Sequence, residues 1–209
     1  KICNLRKWTG ENIMEREFKW KANSDDYNKI LKDLNLSEDE AIEMHASYYD
    51  TAAHWLRSHK IALCLRREND KQVCCLKLQD AARDGLHVHD EFECSAASLN
   101  DGLNELPKHG APSDLCAALK TETLIAVCET KFHRRRALWQ APDFTAEIVF
   151  DDGVLICQDK QKAFIEIECE QKSGDDKAFE SACMAISKKF VLKSESKSKF
   201  SRALDLERA

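Results

Sequence analysis

The sequence predicts an α+β chain, mainly antiparallel β, with helices packed on the outside of its sheet. Three observations lead there. Segment after segment alternates apolar and charged residues with a period of two, which sends unlike side chains to opposite faces of a strand. The turns between several of these segments are short, as at Glu68-Asn69-Asp70 and Asp84-Gly85, and a short turn joins antiparallel strands but not parallel ones. The longer connections carry cap and breaker signals of helices instead.

The first strand runs through Ile13-Met14-Glu15-Arg16-Glu17-Phe18-Lys19-Trp20-Lys21, with Met14, Phe18 and Trp20 on one side and Glu15, Glu17, Lys19 and Lys21 on the other. Asn23-Ser24-Asp25-Asp26 supplies N-cap oxygens for a short helix to about Leu34. Glu40 to Thr51 reads as a second strand, and Ala53 to His59 as one or two helical turns. Ile61 to Arg67 sets Leu63 and Leu65 against Cys64 and Arg66. The return from Gln72 sets Leu76 and Leu78 against Cys75 and Lys77.

After Asp84-Gly85, Leu86 to Cys94 places His87, His89, Glu91 and Glu93 opposite Leu86, Val88 and Phe92. Ser98 to Lys120 reads as a helical connection broken by Pro107, Gly110 and Pro112. A long strand follows from Leu124 to Trp139, with Arg134 and Arg136 on one face and Arg135 outward. Phe144 to Asp151 is expected to end in an Asp152-Gly153 turn before a short strand, Val154 to Gln158. Phe164 to Lys172 alternates most sharply, with Glu166, Glu168, Glu170 and Lys172 opposite Ile165, Ile167 and Cys169. Ser173-Gly174-Asp175 starts an amphipathic helix to about Leu192. The polar tail, residues 193–209, reads as helical near its end or disordered.

At 209 residues one domain is the default, and 33% charged against 43% hydrophobic residues describe a globular chain with an unusual surplus of charge. A net charge of -5 argues against a nucleic-acid partner held by bulk electrostatics. No apolar run is long enough for a membrane span, and no charged-then-apolar leader opens the sequence. Seven of the ten cysteines (Cys64, Cys74, Cys75, Cys94, Cys128, Cys157 and Cys169) sit inside strand-like runs, with no CxxC pair. This is cysteine used as a small hydrophobe in a cytoplasmic type of domain.

The charged faces need a purpose. Residues i and i+2 of a strand lie about 7 Å apart, so neighbours among Glu166, Glu168 and Glu170 repel by about 0.6 kcal/mol in water. On an open surface that cost is small, and each pattern can be a solvated face. In an enclosed space the repulsion grows, and cations must sit among the carboxylates. Lys19, Arg66, Lys77, Arg134 and Arg136 occupy the matching faces of other strands, and clustered carboxylate oxygens suit a hard divalent ion. A closed chamber with acid on one wall and base on another suits a chain of phosphates. His87-x-His89-x-Glu91 can also be read as a zinc constellation on one strand face.

Glu15-Arg16-Glu17-Phe18-Lys19 resembles the ExExK signature of the CYTH superfamily, the triphosphate tunnel metalloenzymes. The likeness continues through Tyr49-Asp50-Thr51, Ala62 to Arg66, Leu76-Lys77 and His89 to Glu93. It takes in Thr130 to Arg136, Glu147 with Asp151-Asp152-Gly153, Glu166 to Gly174, and Ser198-Lys199 with Arg202. The resemblance implies one domain over residues 1–209, an eight-stranded antiparallel barrel forming a tunnel, and Mg²⁺- or Mn²⁺-dependent chemistry on triphosphates.

By that resemblance Glu15, Glu17, Glu91, Glu147, Glu166 and Glu168 are the expected metal ligands, with Glu15, Glu17 and Glu168 catalytic. Lys19, Arg66, Lys77, His89, Arg134, Arg136, Lys172, Lys199 and Arg202 are the expected phosphate contacts. Glu170 is expected outside the ligand set, as a supporting or surface carboxylate. The later strands look most like bacterial inorganic triphosphatases, so the expected reaction splits inorganic triphosphate into diphosphate and orthophosphate. The alternatives are a polyphosphate- or nucleotide-binding module, or thiamine triphosphatase or class IV adenylyl cyclase chemistry. A homodimer and a downstream helical CHAD domain, absent from these residues, also fit the resemblance. The family pattern has Arg where this chain has Cys64 and His89. A thiol does not replace a guanidinium fork, and imidazole is cationic only when protonated.

Overall fold

The structure, a computed structural model, describes residues 14–208; Ile13 and Ala209, which the expectations above include, lie outside them. The chain runs β1 (Met14–Lys21), α1 (Ser24–Leu34), β2 (Ile42–Thr51), α2 (Trp55–Ser58), β3 (Ile61–Glu68), β4 (Lys71–Arg83) and β5 (Leu86–Ser95). The helical connection α3 (Leu99–Glu105), a 3-10 turn (Leu106–His109) and α4 (Ser113–Leu119) leads to β6 (Leu124–Gln140), β7 (Phe144–Cys157) and β8 (Lys160–Gly174). The chain closes with α5 (Asp176–Phe190), β9 (Lys193–Ser194) and α6 (Lys199–Asp205).

Eight strands pair in the order β5-β4-β3-β2-β6-β7-β8-β1, and β1 also pairs with β5, so the sheet closes on itself. Every pairing is antiparallel. Closure leaves β1 no open edge, because it bonds β5 through Met14–Phe18 and β8 through Glu17–Lys21. The two-residue β9 adds to the far end of β1, with Ser194 opposite Trp20.

The apolar faces point outward. Phe18 and Trp20 of β1, Ile148 and Phe150 of β7 and Ile167 of β8 are buried beneath Tyr27 and Ile30 of α1 and Phe179 and Cys183 of α5. Leu63, Leu76 and Phe92 are covered in the same way by Leu103, Leu106, Leu115 and Leu119 of the α3–α4 connection. Burying side chains of this size contributes about 2–3 kcal/mol each. Arg16 faces outward between the apolar residues of β1 and ties the barrel to α5 through Asp176 (2.8 Å) and Glu180 (2.6 Å). The helix starts follow the sequence. Asn23 and Asp26 form a capping box on α1, and Asp175 accepts the Ala178 N–H at 2.8 Å.

The last helix behaves differently from the other five. Phe200, Ala203 and Leu206 pack on Met44, Phe132, Leu155 and Phe164. Phe132 shares the inward face of β6 with Arg134, and Phe164 shares that of β8 with Glu166, so α6 caps one end of the bore. Among the described residues, Arg66, Arg136 and Lys172 line the opposite end.

The expected Asp152-Gly153 turn is corrected. β7 passes straight through it, with Gly153 opposite Phe132 on β6 and Phe164 on β8. A Cβ at Gly153 would lie 2.1 Å from the Lys131 carbonyl oxygen and 2.5 Å from the Phe132 Cα. The glycine therefore allows close backbone approach inside a strand, not a reversal. The reversal comes later, where Gln158 has φ 56° and β8 begins at Lys160.

Candidate active site in the barrel bore

The inward faces enclose a cavity of about 1440 Å³. Its wall includes Glu15, Glu17, Lys19, Arg66, Lys77, His89, Glu91, Arg134, Arg136, Glu147, Glu168, Lys172 and Lys199. The bore thus collects most of the expected site residues from seven strands and the capping helix. Glu166 and Arg202 are the exceptions: they form an ion pair behind the cavity wall, and Glu166 is fully buried.

Three tiers run from the cap to the mouth. Deepest is a saturated ion cluster. Lys19 Nζ lies 2.8 Å from Glu17 Oε1 and 2.5 Å from Glu168 Oε1. Arg134 donates through Nε and Nη2 to both oxygens of Asp151, at 2.8 and 2.7 Å, and through Nη2 to Glu168 at 2.9 Å. From α6, Lys199 reaches Asp151 (2.7 Å), Glu168 (2.8 Å) and Glu166. Burial opposes the charge on Glu168, but Lys19, Lys199 and Arg134 hold its carboxyl well below the usual range. Burial likewise opposes the charge on Lys19, and Glu168 and Glu17 outweigh it.

The middle tier is looser. Lys77 Nζ lies 2.6 Å from Glu91 Oε2 and 3.5 Å from Glu15 Oε2. His89 Nε2 sits between the same two carboxylates, 3.4 and 3.5 Å away, and 3.1 Å from Lys77 Nζ. His89 Nδ1 is buried without a hydrogen-bond partner. Burial opposes ionisation of Glu15, yet Lys77 and His89 keep it below the ordinary carboxylate range.

At the mouth, Arg66 bonds Glu68 (2.6 Å) and Glu93 (2.7 Å). Arg136 and Lys172 make only long contacts with Glu147, at 3.7 and 3.8 Å, and the Arg136 Nε is buried without a partner. Lys172 also pairs with Glu170 at 2.6 Å. Arg136 and Lys172 therefore have bonding capacity to spare.

The carboxylates crowd across strands too. Glu17 stands opposite Glu170, and Glu170 opposite Glu147, in one row over β1, β8 and β7. Like charges directly opposed are unfavourable. Glu170 shows the strain: burial first, then the charge of Glu15, pushes it up to about 7 against the pull of Lys172. It faces the cavity, not the outer surface.

Donor chemistry fits a divalent cation in the middle and deepest tiers. One ligand atom each from Glu15, His89 and Glu91 lie within 4.8 Å of one another, as do those of Asp151, Glu166 and Glu168. The second group already holds Lys199 at its centre. The zinc reading of His87-x-His89-x-Glu91 loses one member, since His87 Nε2 lies 2.9 Å from the Glu195 carbonyl oxygen.

Sequence reasoning left Asp151 out of the site, although it lies four residues after Glu147 and so on the same strand face. It is fully buried and is the anchor for Arg134. Glu195, which contacts Lys21 and Arg202, sits in the tail and carried no strand pattern.

Comparison with known proteins agrees with this architecture. The CYTH domain profile matches residues 14–203. An inorganic triphosphatase of Haemophilus influenzae is 26% identical over 170 residues, which is 79% of this chain and 47% of that protein. The chain thus spans about half the length of that relative. HpAC1 from Hippeastrum, an adenylyl cyclase candidate with a dominant triphosphatase activity, superposes with a TM-score of 0.64 at 18% identity, over 91% of this chain and 95% of that one. The PH1819 protein from Pyrococcus horikoshii gives a TM-score of 0.62 at 15% identity, over 93% and 99%. The profile match runs through every strand of the barrel and into α6, and the chain belongs to the CYTH domain family.

Proposed function

We propose that this chain is a divalent-metal-dependent triphosphatase that hydrolyses inorganic triphosphate to diphosphate and orthophosphate. The observation that carries this reading is the bore itself, a cavity of about 1440 Å³ lined by both carboxylates and cations. The H. influenzae relative supports the same substrate.

Arg66, Lys77, Arg136 and Lys172 line the open part of the cavity and would bind non-bridging phosphate oxygens. Lys19, Arg134 and Lys199 act one step deeper, fixing Glu168 and Asp151. Mg²⁺ or Mn²⁺ would be held by Glu15, Glu91 and Glu147 with Glu17 nearby, while Glu166 and Glu168 are already engaged by cations of the chain. When bound, the ion would supply charge neutralisation on the phosphate oxygens.

Water enters in line with the scissile bond. Its oxygen forms a bond to the terminal phosphorus as the bridging P–O bond breaks, and its proton passes to a carboxylate of the Glu15–Glu17 pair. The cations at the mouth stabilise negative charge gathering on the departing diphosphate. Positioning and electrostatics supply the rate, with no covalent intermediate.

One observation favours binding without turnover: three cations already surround Glu168. Another favours an organic triphosphate, because Ile42, Met44, Ala46 and Ala62 form an apolar strip of cavity wall. Phosphate release from tripolyphosphate, thiamine triphosphate and ATP, measured side by side with Mg²⁺ and with Mn²⁺, separates these readings. The proposed function requires tripolyphosphate to be cleaved fastest. Tight binding with no release supports the module. Among the described residues, nine cysteines are free and buried, which supports a reducing, cytoplasmic setting for the reaction, and no helix is long and apolar enough to cross a membrane.

A further inference from the structure

We propose that the bore holds a second, thiol-bearing cation site, in which Cys64, Cys75, Glu91 and Glu93 bind a thiophilic divalent ion of the zinc class. Cys64 stands directly opposite Cys75, and Cys75 directly opposite Glu93, in one row across β3, β4 and β5. All four side chains face the cavity. Cys75 Sγ donates to Glu91 Oε1 at 2.9 Å, and the ligand atoms of Cys75, Glu91 and Glu93 lie within 4.8 Å of one another.

Two ligands of one zinc ion sit about 3.5–4 Å apart, a spacing that Cys75, Glu91 and Glu93 reach by side-chain rotation, with Cys64 joining from the paired position on β3.

Charge is balanced as well. Two thiolates and two carboxylates are offset by one divalent ion together with Arg66 and Lys77, which contact Glu93 at 2.7 Å and Glu91 at 2.6 Å. Sulfur ligands favour zinc over Mg²⁺; Glu91 belongs to both sets, so an ion held by the thiols withdraws that carboxylate from the Glu15–Glu147 set and the two sites compete. Cys74 and Cys94 supply an internal contrast. They are also directly opposed, on β4 and β5, but they face the apolar patch beneath α3.

The test titrates the reduced, metal-free full chain with Cd²⁺ in excess Mg²⁺ and no phosphate substrate, reading the thiolate-to-cadmium absorption band. The first equivalent should produce the band. Cys75→Ser should abolish it, Cys64→Ser should halve it, and Cys74→Ser should leave it intact. A band that survives in the Cys64→Ser/Cys75→Ser protein, or that disappears in Cys74→Ser, overturns the site.

Mapping alkylation on the wild-type chain gives an answer that depends on no variant folding. Cd²⁺ should protect Cys64 and Cys75 selectively, and equal labelling with and without the ion refutes the proposal. Neither readout uses turnover, so failure here is distinct from failure of the triphosphatase reading.

Discussion

Lys199 Nζ lies 2.7 Å from Asp151 Oδ2, joining the capping helix α6 to the middle of the barrel wall. The same ammonium also contacts Glu168 and Glu166, so one side chain offsets three buried carboxylates. Removing a single partner from a buried ion cluster leaves uncompensated charge. Lys199→Met should therefore destabilise the fold by about 3–5 kcal/mol in urea unfolding. Adding Glu166→Gln should recover part of that loss; a single variant as stable as wild type would show that α6 does not anchor the cluster.

Glu170 should impose a pH dependence on stability. Its folded value is raised from 4.5 to about 7, so burial favours the protonated form. The stabilisation is complete below about pH 4.5 and is lost as pH rises through 7. Partial exposure limits the swing to about 2 kcal/mol. Glu170→Gln should flatten the stability profile between those pH values and be the more stable protein at pH 8. An unchanged slope would mean that the carboxylate is solvated.

Gly153→Ala tests the close approach of β6 and β7. With a Cβ only 2.1 Å from the Lys131 carbonyl oxygen, the strands must separate. The expected cost is about 2 kcal/mol or more in thermal or urea unfolding. A turn at this point would have tolerated alanine with little loss.

His89→Arg should place a permanent cation between Glu15 and Glu91, where imidazole is charged only when protonated. Under the proposed function, KM for tripolyphosphate at pH 8 should fall about tenfold, worth about 1.4 kcal/mol, with a smaller change in kcat. No change in KM would remove position 89 from the phosphate contacts.

The strands were legible because alternation is local: Phe18 and Trp20 against Glu17 and Lys19 already define two faces. Closure was not legible from periodicity. The pairing of Glu15 with His89 joins residues distant in sequence, and the direction of the charged faces came from a family likeness. Gly153 was misread because glycine marks both reversals and tight approaches. Lys199 and Arg202, three apart on α6, could be placed on one helix face by spacing, but nothing in the tail said that this face closes the bore. Asp151 falls on the charged face of its strand with Glu147, but nothing local shows that it anchors Arg134.

The most direct measurement is phosphorus NMR of tripolyphosphate incubated with the chain and Mg²⁺ or Mn²⁺, beside an Arg136→Ala/Lys172→Ala variant that still unfolds cooperatively. If the bore clamps and cleaves a phosphate chain, wild type should give orthophosphate and diphosphate in equal amounts, and the variant should be slower by about 100-fold or more. Tripolyphosphate left intact with either metal, or cleaved equally fast by the variant, would contradict the account.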